Sequence, residues 1–415
     1  MEFIRRTITE KVESIIRSGI IALIVGPRQS GKTSLIKDFL KNHMDEYNTL
    51  YIDGDYHQHW NYLLDTDSLA AKISRSFKLG RRFLIAVDEI QKIPDGGNAL
   101  KRIYDRTSPK AHFIVTGSSF LWGRRGIGDN LTGRASEIHL LPFSMREIFE
   151  HRTGISTGFG KFESEIWQGF KYEIQEIWEN ILQHGAFPSV YLSQDEEDKT
   201  NSLVALSSGF VRRDLLSLIE RGDWTFFKEL LQMLASEGTI LSITSLASSL
   251  GRDRATVRKY LEVAEELFIL KVVRNFGKNI RTEIRKQPKV LFVDVGLMRA
   301  IAEPFSPSAG ILYEQAVGAE IWKAGIKIRH WRTKSGAEVD FVMGDKNIPV
   351  EVKKGYRGHN ISRGFRSFIN KYSPEFAFWL HNGEPRTEKI GNTILHIMPA
   401  PMFALGLQCG IFNIS

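Results

Sequence analysis

The chain has one cysteine, Cys409, among 415 residues. A lone thiol excludes an intramolecular disulfide framework, and without a cysteine pair there is no zinc ribbon, so a reducing, cytoplasmic location is expected. No apolar run is long enough to cross a bilayer, and the start, Met1-Glu2-Phe3-Ile4-Arg5-Arg6, is interrupted by charge where a secretory segment would be apolar. A soluble protein with no membrane partner is expected. Excess charge is also scarce: 56 basic and 48 acidic residues leave +8, so the location of the charge matters more than its sum. With 42% hydrophobic and 25% charged residues, the chain is globular and long enough for about two to four domains.

What is present begins with Gly26-Pro27-Arg28-Gln29-Ser30-Gly31-Lys32-Thr33, which fits G-x-x-x-x-G-K-[ST] at every fixed position. The apolar run 20–25 leads in as a strand, and Ser34 to Leu40 follow with helical spacing, the context in which this pattern is a P-loop. Backbone N–H groups from Gly26 to Ser34 and the helix dipole are suited to cradle the phosphates of ATP; Lys32 is suited to reach the β/γ-phosphates and the Thr33 hydroxyl to hold Mg²⁺. A second apolar run, 82–87, ends in Asp88-Glu89. Such an acid pair after a P-loop assigns Asp88 to Mg²⁺ through water and Glu89 to the attacking water. A further strand, His112–Thr116, delivers Gly117-Ser118-Ser119 to the same edge, where Ser118 either senses the γ-phosphate or makes an ordinary turn.

Arg134 precedes the module's last strand, 136–141, the position from which a ring-forming ATPase presents a positive charge to its neighbour's γ-phosphate. Arg124 and Arg125 are substitutes, and the competing reading is a plain surface arginine. A role in trans requires a homo-oligomer, at its fullest a hexameric ring.

Four segments in combination, Gly26-Pro27-Arg28-Gln29…Gly31-Lys32-Thr33, Val87-Asp88-Glu89-Ile90-Gln91, Thr116-Gly117-Ser118-Ser119 and Leu131-Thr132-Gly133-Arg134…Leu141-Pro142-Phe143-Ser144, resemble a large archaeal and bacterial AAA+ family. Its members carry a C-terminal domain of unknown function. The resemblance implies a five-stranded parallel sheet of order 5-1-4-3-2. One departure is Gly54-Asp55-Tyr56-His57, where the family has an acidic, proline-containing turn, and that loop is assigned no role.

Beyond a Gly/Ser/Thr-rich hinge at 153–164, helical spacing from Phe170 to Leu182 breaks at Gly185-Ala186-Phe187-Pro188, as in the family's helical lid. Arg212 and Arg213 either point back to the nucleotide or lie on a solvated face. From Trp224 to Val273, three helical stretches with Gly251 between the second and third spell a helix-turn-helix. Arg254, Arg258 and Lys259 crowd the start of the third. Between Lys271 and Lys289 seven basic residues, among them Lys278, Arg281, Arg285 and Lys286, face one acid, Glu283, where a winged helix has its β-ribbon. Together these make DNA the expected partner; the bland alternative is a winged helix that packs on its neighbours.

The last part resembles the PD-(D/E)xK nuclease fold: a strand opening at Gln287–Gly296, a helix carrying Glu314, then three strands bearing Asp340 and Glu351-Val352-Lys353. The resemblance implies a second divalent metal site, with Asp340 and Glu351 holding the ion, Glu314 completing the acidic cluster and Lys353 polarising phosphate or water. Glu351 and Lys353 share one strand face because they are two apart. Cleavage does not follow, since a fold keeps its shape while its function changes. Residues 383–415 read as closing apolar strands.

The expectation is thus an α/β protein with a AAA+ P-loop ATPase core (1–155), a helical lid (156–222), a winged helix with a basic wing (223–289) and a nuclease-like α/β domain (290–415). Three functions fit: a DNA-remodelling motor for branched duplexes, an ATP-dependent nuclease, and a nucleotide switch acting on a protein partner.

Overall fold

The computed structural model describes residues 3–117, 131–157, 164–209, 223–238, 240–277, 283, 286–355 and 361–412. Ser118, Ser119, Arg124, Arg125, Arg212, Arg213, Lys278, Arg281 and Arg285 lie outside the described residues. The chain divides into two compact units, Met1–Leu141 and Pro142–Ser415.

The first unit is built on five parallel strands, β1 (Ile21–Val25), β2 (Asn48–Asp53), β3 (Phe83–Asp88), β4 (Ala111–Gly117) and β5 (Ala135–His139), in the order β2-β3-β4-β1-β5. From the other edge this is the order 5-1-4-3-2 that the resemblance implies. Every residue of β1, β3 and β4 is buried, as continuous apolar runs in the middle of a parallel sheet must be. The helix Thr9–Arg17 buries Val12 and Ile16 against Ile24, Leu35, Phe39 and Ile114. Arg6, just ahead of it, is also buried.

Register places the functional ends together. Asp53 stands beside Asp88, Val87 beside Val115, and Val25 beside Gly117, so loops after β1, β3 and β4 emerge at one sheet edge.

In the second unit, a capping box between Ser144 and Glu147 starts the helix Met145–Thr153. The helix Ser164–His184 stops at Gly185, whose φ is +80° and where a Cβ atom would stand 2.0 Å from Asp294 Oδ1. The glycine lets the chain approach that buried carboxylate. Asp294 accepts from the N–H of Ala186 at 2.7 Å and of Leu297 at 3.0 Å, capping the helix Val295–Ala302.

Helices Trp224–Glu237, Ile243–Ser249 and Arg254–Glu266 follow, with Gly251 left-handed between the last two. An antiparallel ribbon comes next, β6 (Leu270–Val273) with β7 (Lys289–Phe292), and Ile240 bridges to Lys289. The strand expected to open the C-terminal domain is therefore the return arm of this ribbon. Helix Ala309–Lys323 leads to a six-stranded mixed sheet, order β12-β13-β11-β10-β9-β8, made of β8 (Ile328–Arg332), β9 (Glu338–Met343), β10 (Ile348–Val352), β11 (Phe376–His381), β12 (Arg386–Ile390) and β13 (Thr393–Pro399).

After β13 the chain forms the buried helix Ala400–Gln408 rather than another strand. The run is apolar all round, so its period does not separate strand from helix; Pro401, within the first turn, suits a helix start.

Candidate functional sites

The loop from Gly26 to Thr33 joins β1 to the helix Lys32–Asn42. A Cβ at Gly26 would fall 2.1 Å from Leu140 O, so only glycine lets the loop leave the sheet here. Gln29 (φ 59°) and Gly31 (φ 92°) are both left-handed, a backbone habit that turns N–H groups into an anion-binding concavity. The first helical turn adds its own unsatisfied N–H groups, from Thr33 and Ser34 among others. Lys32 is 7% exposed, and its ammonium donates to Gly26 O at 3.0 Å and Pro27 O at 2.9 Å. The Ser30 hydroxyl is buried with no hydrogen-bond partner among the described residues, which a phosphate oxygen would supply. Arg28 and Gln29 lie at the exposed rim, and Pro27 is buried.

A feature absent from the sequence expectation holds this loop. Arg6 donates from one guanidinium nitrogen to Ser30 O at 2.7 Å and from the other to Leu141 O at 2.6 Å.

Asp88 is buried, and its carboxylate is satisfied by hydroxyl groups. Thr33 Oγ1 donates to Oδ2 at 2.6 Å, Tyr51 OH donates to Oδ2 at 3.0 Å, and Thr116 Oγ1 donates to Oδ1. Burial, then the charge of Asp88, pushes the Tyr51 phenol far above its usual range, so it stays a donor. Thr116 also accepts from the Glu89 N–H at 3.0 Å, fixing a residue whose φ is +51°. The Glu89 carboxylate is held at Oε2 by the Gln91 side-chain amide.

Thus Lys32, Thr33, Asp88 and Glu89 come together, and Thr116, Tyr51, Gln91 and Arg6 join them. The donor set suits a nucleotide with Mg²⁺: Thr33 and Asp88 share a hydrogen bond where an oxygen-liganded cation would be held, and the buried Ser30 hydroxyl lacks a partner. Arg134 is elsewhere. It precedes β5, whose first residue pairs with the first residue of β1, so it sits at the opposite sheet edge, about 16 Å from the loop at roughly 3.3 Å per residue. It forms a two-pronged ion pair with Asp105, at 2.7 and 3.1 Å.

In the second unit, Asp253 caps the helix Arg254–Glu266, accepting from the N–H of Ala255 at 2.8 Å and of Thr256 at 2.9 Å. These bonds to Thr256 and Ala255 hold its carboxyl below the ordinary range. Arg254 and Arg258 are exposed and four apart, hence on one face, with Lys259 beside them.

The basic stretch that follows is not one surface. Lys271 packs over the Trp322 ring at 5.2 Å, Lys286 donates to Arg332 O at 2.6 Å, and Lys289 is buried. Burial depresses the first two below the ordinary lysine range. Phe276 sits in the core of the six-stranded sheet with Trp331 and Phe368. Three of the seven basic residues expected on the wing are therefore engaged within the unit, while Arg274 is exposed.

Glu314, Asp340, Glu351 and Lys353 do converge. Asp340 Oδ2 accepts from the Val352 N–H at 2.8 Å; Glu351 Oε1 accepts from Lys353 at 2.9 Å and from Ser362 Oγ at 3.3 Å. Burial first, then Asp340, pushes Glu351 up to about 7. Burial alone would depress Lys353, but the charges of Asp340 and Glu351 outweigh it and raise it. Yet the ammonium of Lys289 reaches in, bonded to Glu314 and 3.8 Å from Asp340 Oδ1. Among the described residues no group of three His, Cys, Asp or Glu side chains is placed to hold a metal, so the expected second metal site is not supported by this donor set. Nor is any helix among them long and apolar enough to cross a membrane.

Residues 18–149 match the model of a AAA domain, residues 175–308 a domain of unknown function (DUF8612) and residues 309–403 another (DUF4143). An uncharacterized protein of Mycobacterium tuberculosis is 24% identical over 377 residues, 88% of this chain and 77% of its own. One of Methanocaldococcus jannaschii is 23% identical over 355 residues, 82% and 76%. Among solved structures, AMPPCP-bound DnaA from Aquifex aeolicus is 13% identical with a TM-score of 0.25, covering 64% of this chain and 90% of that one. Drosophila ORC bound to AT-rich DNA and Cdc6 is 14% identical, TM-score 0.25, covering 72% and 90%. The family match over residues 18–149 and the strand order of the first unit agree: the N-terminal part of the chain is an AAA-type P-loop domain.

Proposed function

We propose that the protein hydrolyses ATP at the loop 26–33 and couples the cycle to remodelling of DNA gripped by the second unit. The hydroxyl-lined carboxylate of Asp88, bonded to Thr33 of the loop and Thr116 of β4, carries the reading. It links the phosphate-binding loop to the strand whose next residue is Glu89. Loop N–H groups and Lys32 bind the phosphates, and Thr33 and Asp88 hold Mg²⁺, which supplies charge neutralisation when bound. Glu89 Oε1, opposite the oxygen taken by Gln91, aligns water and receives its proton as the water oxygen bonds to the γ-phosphorus and the bond to the β-phosphate oxygen breaks.

Arg134 acts on a neighbouring copy, which requires it to leave Asp105. Arg254, Arg258 and Lys259 contact DNA phosphates, joined by Lys278, Arg281 and Arg285. Glu89→Gln tests the reading: ATP binding is retained while turnover falls by at least about 10²-fold, the lower end of the range for losing a positioned acid or base. Unchanged turnover would sink it.

The burial of Lys289 and the engagement of the half-buried Lys271 and Lys286 by Trp322 and Arg332 O favour one second reading, a nucleotide switch acting on a protein partner. ATPase activity indifferent to linear, forked and four-way DNA at low salt would select it.

A further inference from the structure

The acidic cluster of the second unit has a cation of its own. Lys289, the first residue of β7, is 4% exposed. Its ammonium bonds the Glu314 carboxylate, lies 3.2 Å from Asp340 O and 3.8 Å from Asp340 Oδ1, and stands 5.1 Å from the centre of the Phe341 ring. Two carboxylates, Glu314 and Asp340, thus face this one buried ammonium.

We propose that Lys289 is the resident cation of the Glu314–Asp340–Glu351 cluster, its ammonium filling the place of a divalent metal, so that the second unit holds no Mg²⁺ or Mn²⁺ there. Oxygen atoms that would coordinate a metal are already committed. Glu314 Oε1 accepts from Lys289, Asp340 Oδ2 from the Val352 N–H, and Glu351 Oε1 from Lys353 and Ser362. Glu351 Oε2 is buried without a hydrogen-bond partner among the described residues, but with one oxygen of each carboxylate engaged and the Lys289 ammonium against two of them, the cluster does not present the open set of oxygens a hard cation needs. A divalent ion would also sit beside a buried ammonium, a like-charge contact in a low dielectric.

Three carboxylates against two ammonium groups, Lys289 and Lys353, bring the cluster near neutrality without metal. The same arrangement makes the site latent: without the amine, Glu314 and Asp340 face each other unpaired. This inference does not rest on the ATPase reading.

The test is Mn²⁺ binding to the full chain, nucleotide-free, followed by electron paramagnetic resonance in an Asp88→Asn background that silences the first unit. The background is expected to bind no Mn²⁺ at millimolar concentration. Adding Lys289→Met creates one site, which a further Asp340→Asn removes. Stoichiometric Mn²⁺ in the background that Asp340→Asn abolishes overturns the proposal. A folded Lys289→Met variant that still binds none overturns it equally, since the amine is then not what excludes the ion. Lys289→Gln replaces the Met variant if that one fails to fold by circular dichroism, and the background titration decides without either.

Discussion

At the scale of single residues, Thr116 is the most informative group that the motif reading quotes without giving it a role. Its hydroxyl donates to Asp88 and accepts from the Glu89 N–H, so one side chain sets both acids. Thr116→Val keeps the shape and removes both bonds. Hydrogen bonds to charged groups contribute about 1.5–3 kcal/mol, so turnover should fall by roughly 10- to 100-fold while nucleotide affinity, read by fluorescent-nucleotide titration, changes little. Gly26 to Thr33, Asp88 and Glu89 were legible because their chemistry is written in contiguous residues. Thr116, Tyr51 and Gln91 were not: their roles arise from the register that lays β2 and β4 against β3, and from a turn after Glu89. His330 offers a residue-scale prediction of another kind. Burial, then the charge of Lys289, pushes its ring down to about 3 from the ordinary 6.5. Between those values the unfolded chain binds a proton that the folded protein refuses, so stability is lost as pH falls through that window. His112, His184, His381 and His396 are shifted the same way by burial. Urea unfolding of His330→Gln at pH 7 and pH 5 should therefore show a shallower acid loss than the parent, not its abolition.

At the scale of elements, the three helices from Trp224 to Glu266 stand where their spacing predicts, and the charged face at Arg254 and Arg258 is open to solvent. Reversing both charges, Arg254→Glu with Arg258→Glu, should weaken DNA binding and lower the slope of log affinity against log salt by about 0.9 per lost phosphate contact. Equal gel shifts for parent and variant across a salt series would remove this helix from the interface. The stretch from Lys271 to Lys289 shows where counting charge fails. Sequence proximity sums seven cations, but strand pairing, ring packing and ion pairing send Lys271, Lys286 and Lys289 to separate partners inside the unit. A charge run is a surface only if its backbone stays in a loop. The meander β8–β10 was legible from alternation, and the partner of β7 was not, because a short apolar strand carries no label for the sheet it joins.

At the scale of the whole molecule, the question is whether one chain hydrolyses ATP alone. Arg134 lies at the sheet edge away from its own loop and is paired with Asp105, so any catalytic use of it must be in trans. Arg134→Ala and Glu89→Gln chains, each inactive by themselves, should regain ATPase activity when mixed, because some sites then receive an intact arginine and an intact glutamate together. No recovery, with a monomer by sizing in the presence of ATP, would place Arg134 among ordinary surface ion pairs. The order of the parallel sheet follows the family resemblance, since spacing alone does not order strands; the match over residues 18–149 and the topology agree on it.

Arg6 ties these scales together. Its guanidinium is rigid and planar, and it spans Ser30 of the phosphate-binding loop and Leu141, the last residue before the second unit begins. The two carbonyls are 111 positions apart by the difference of their numbers, yet they hang from one resonance plane. Within the first unit, the loop that carries Ser30 and the chain end at Leu141 are therefore pinned to each other by a rigid plate as well as through the sheet, a clamp cast from the sixth residue of the chain.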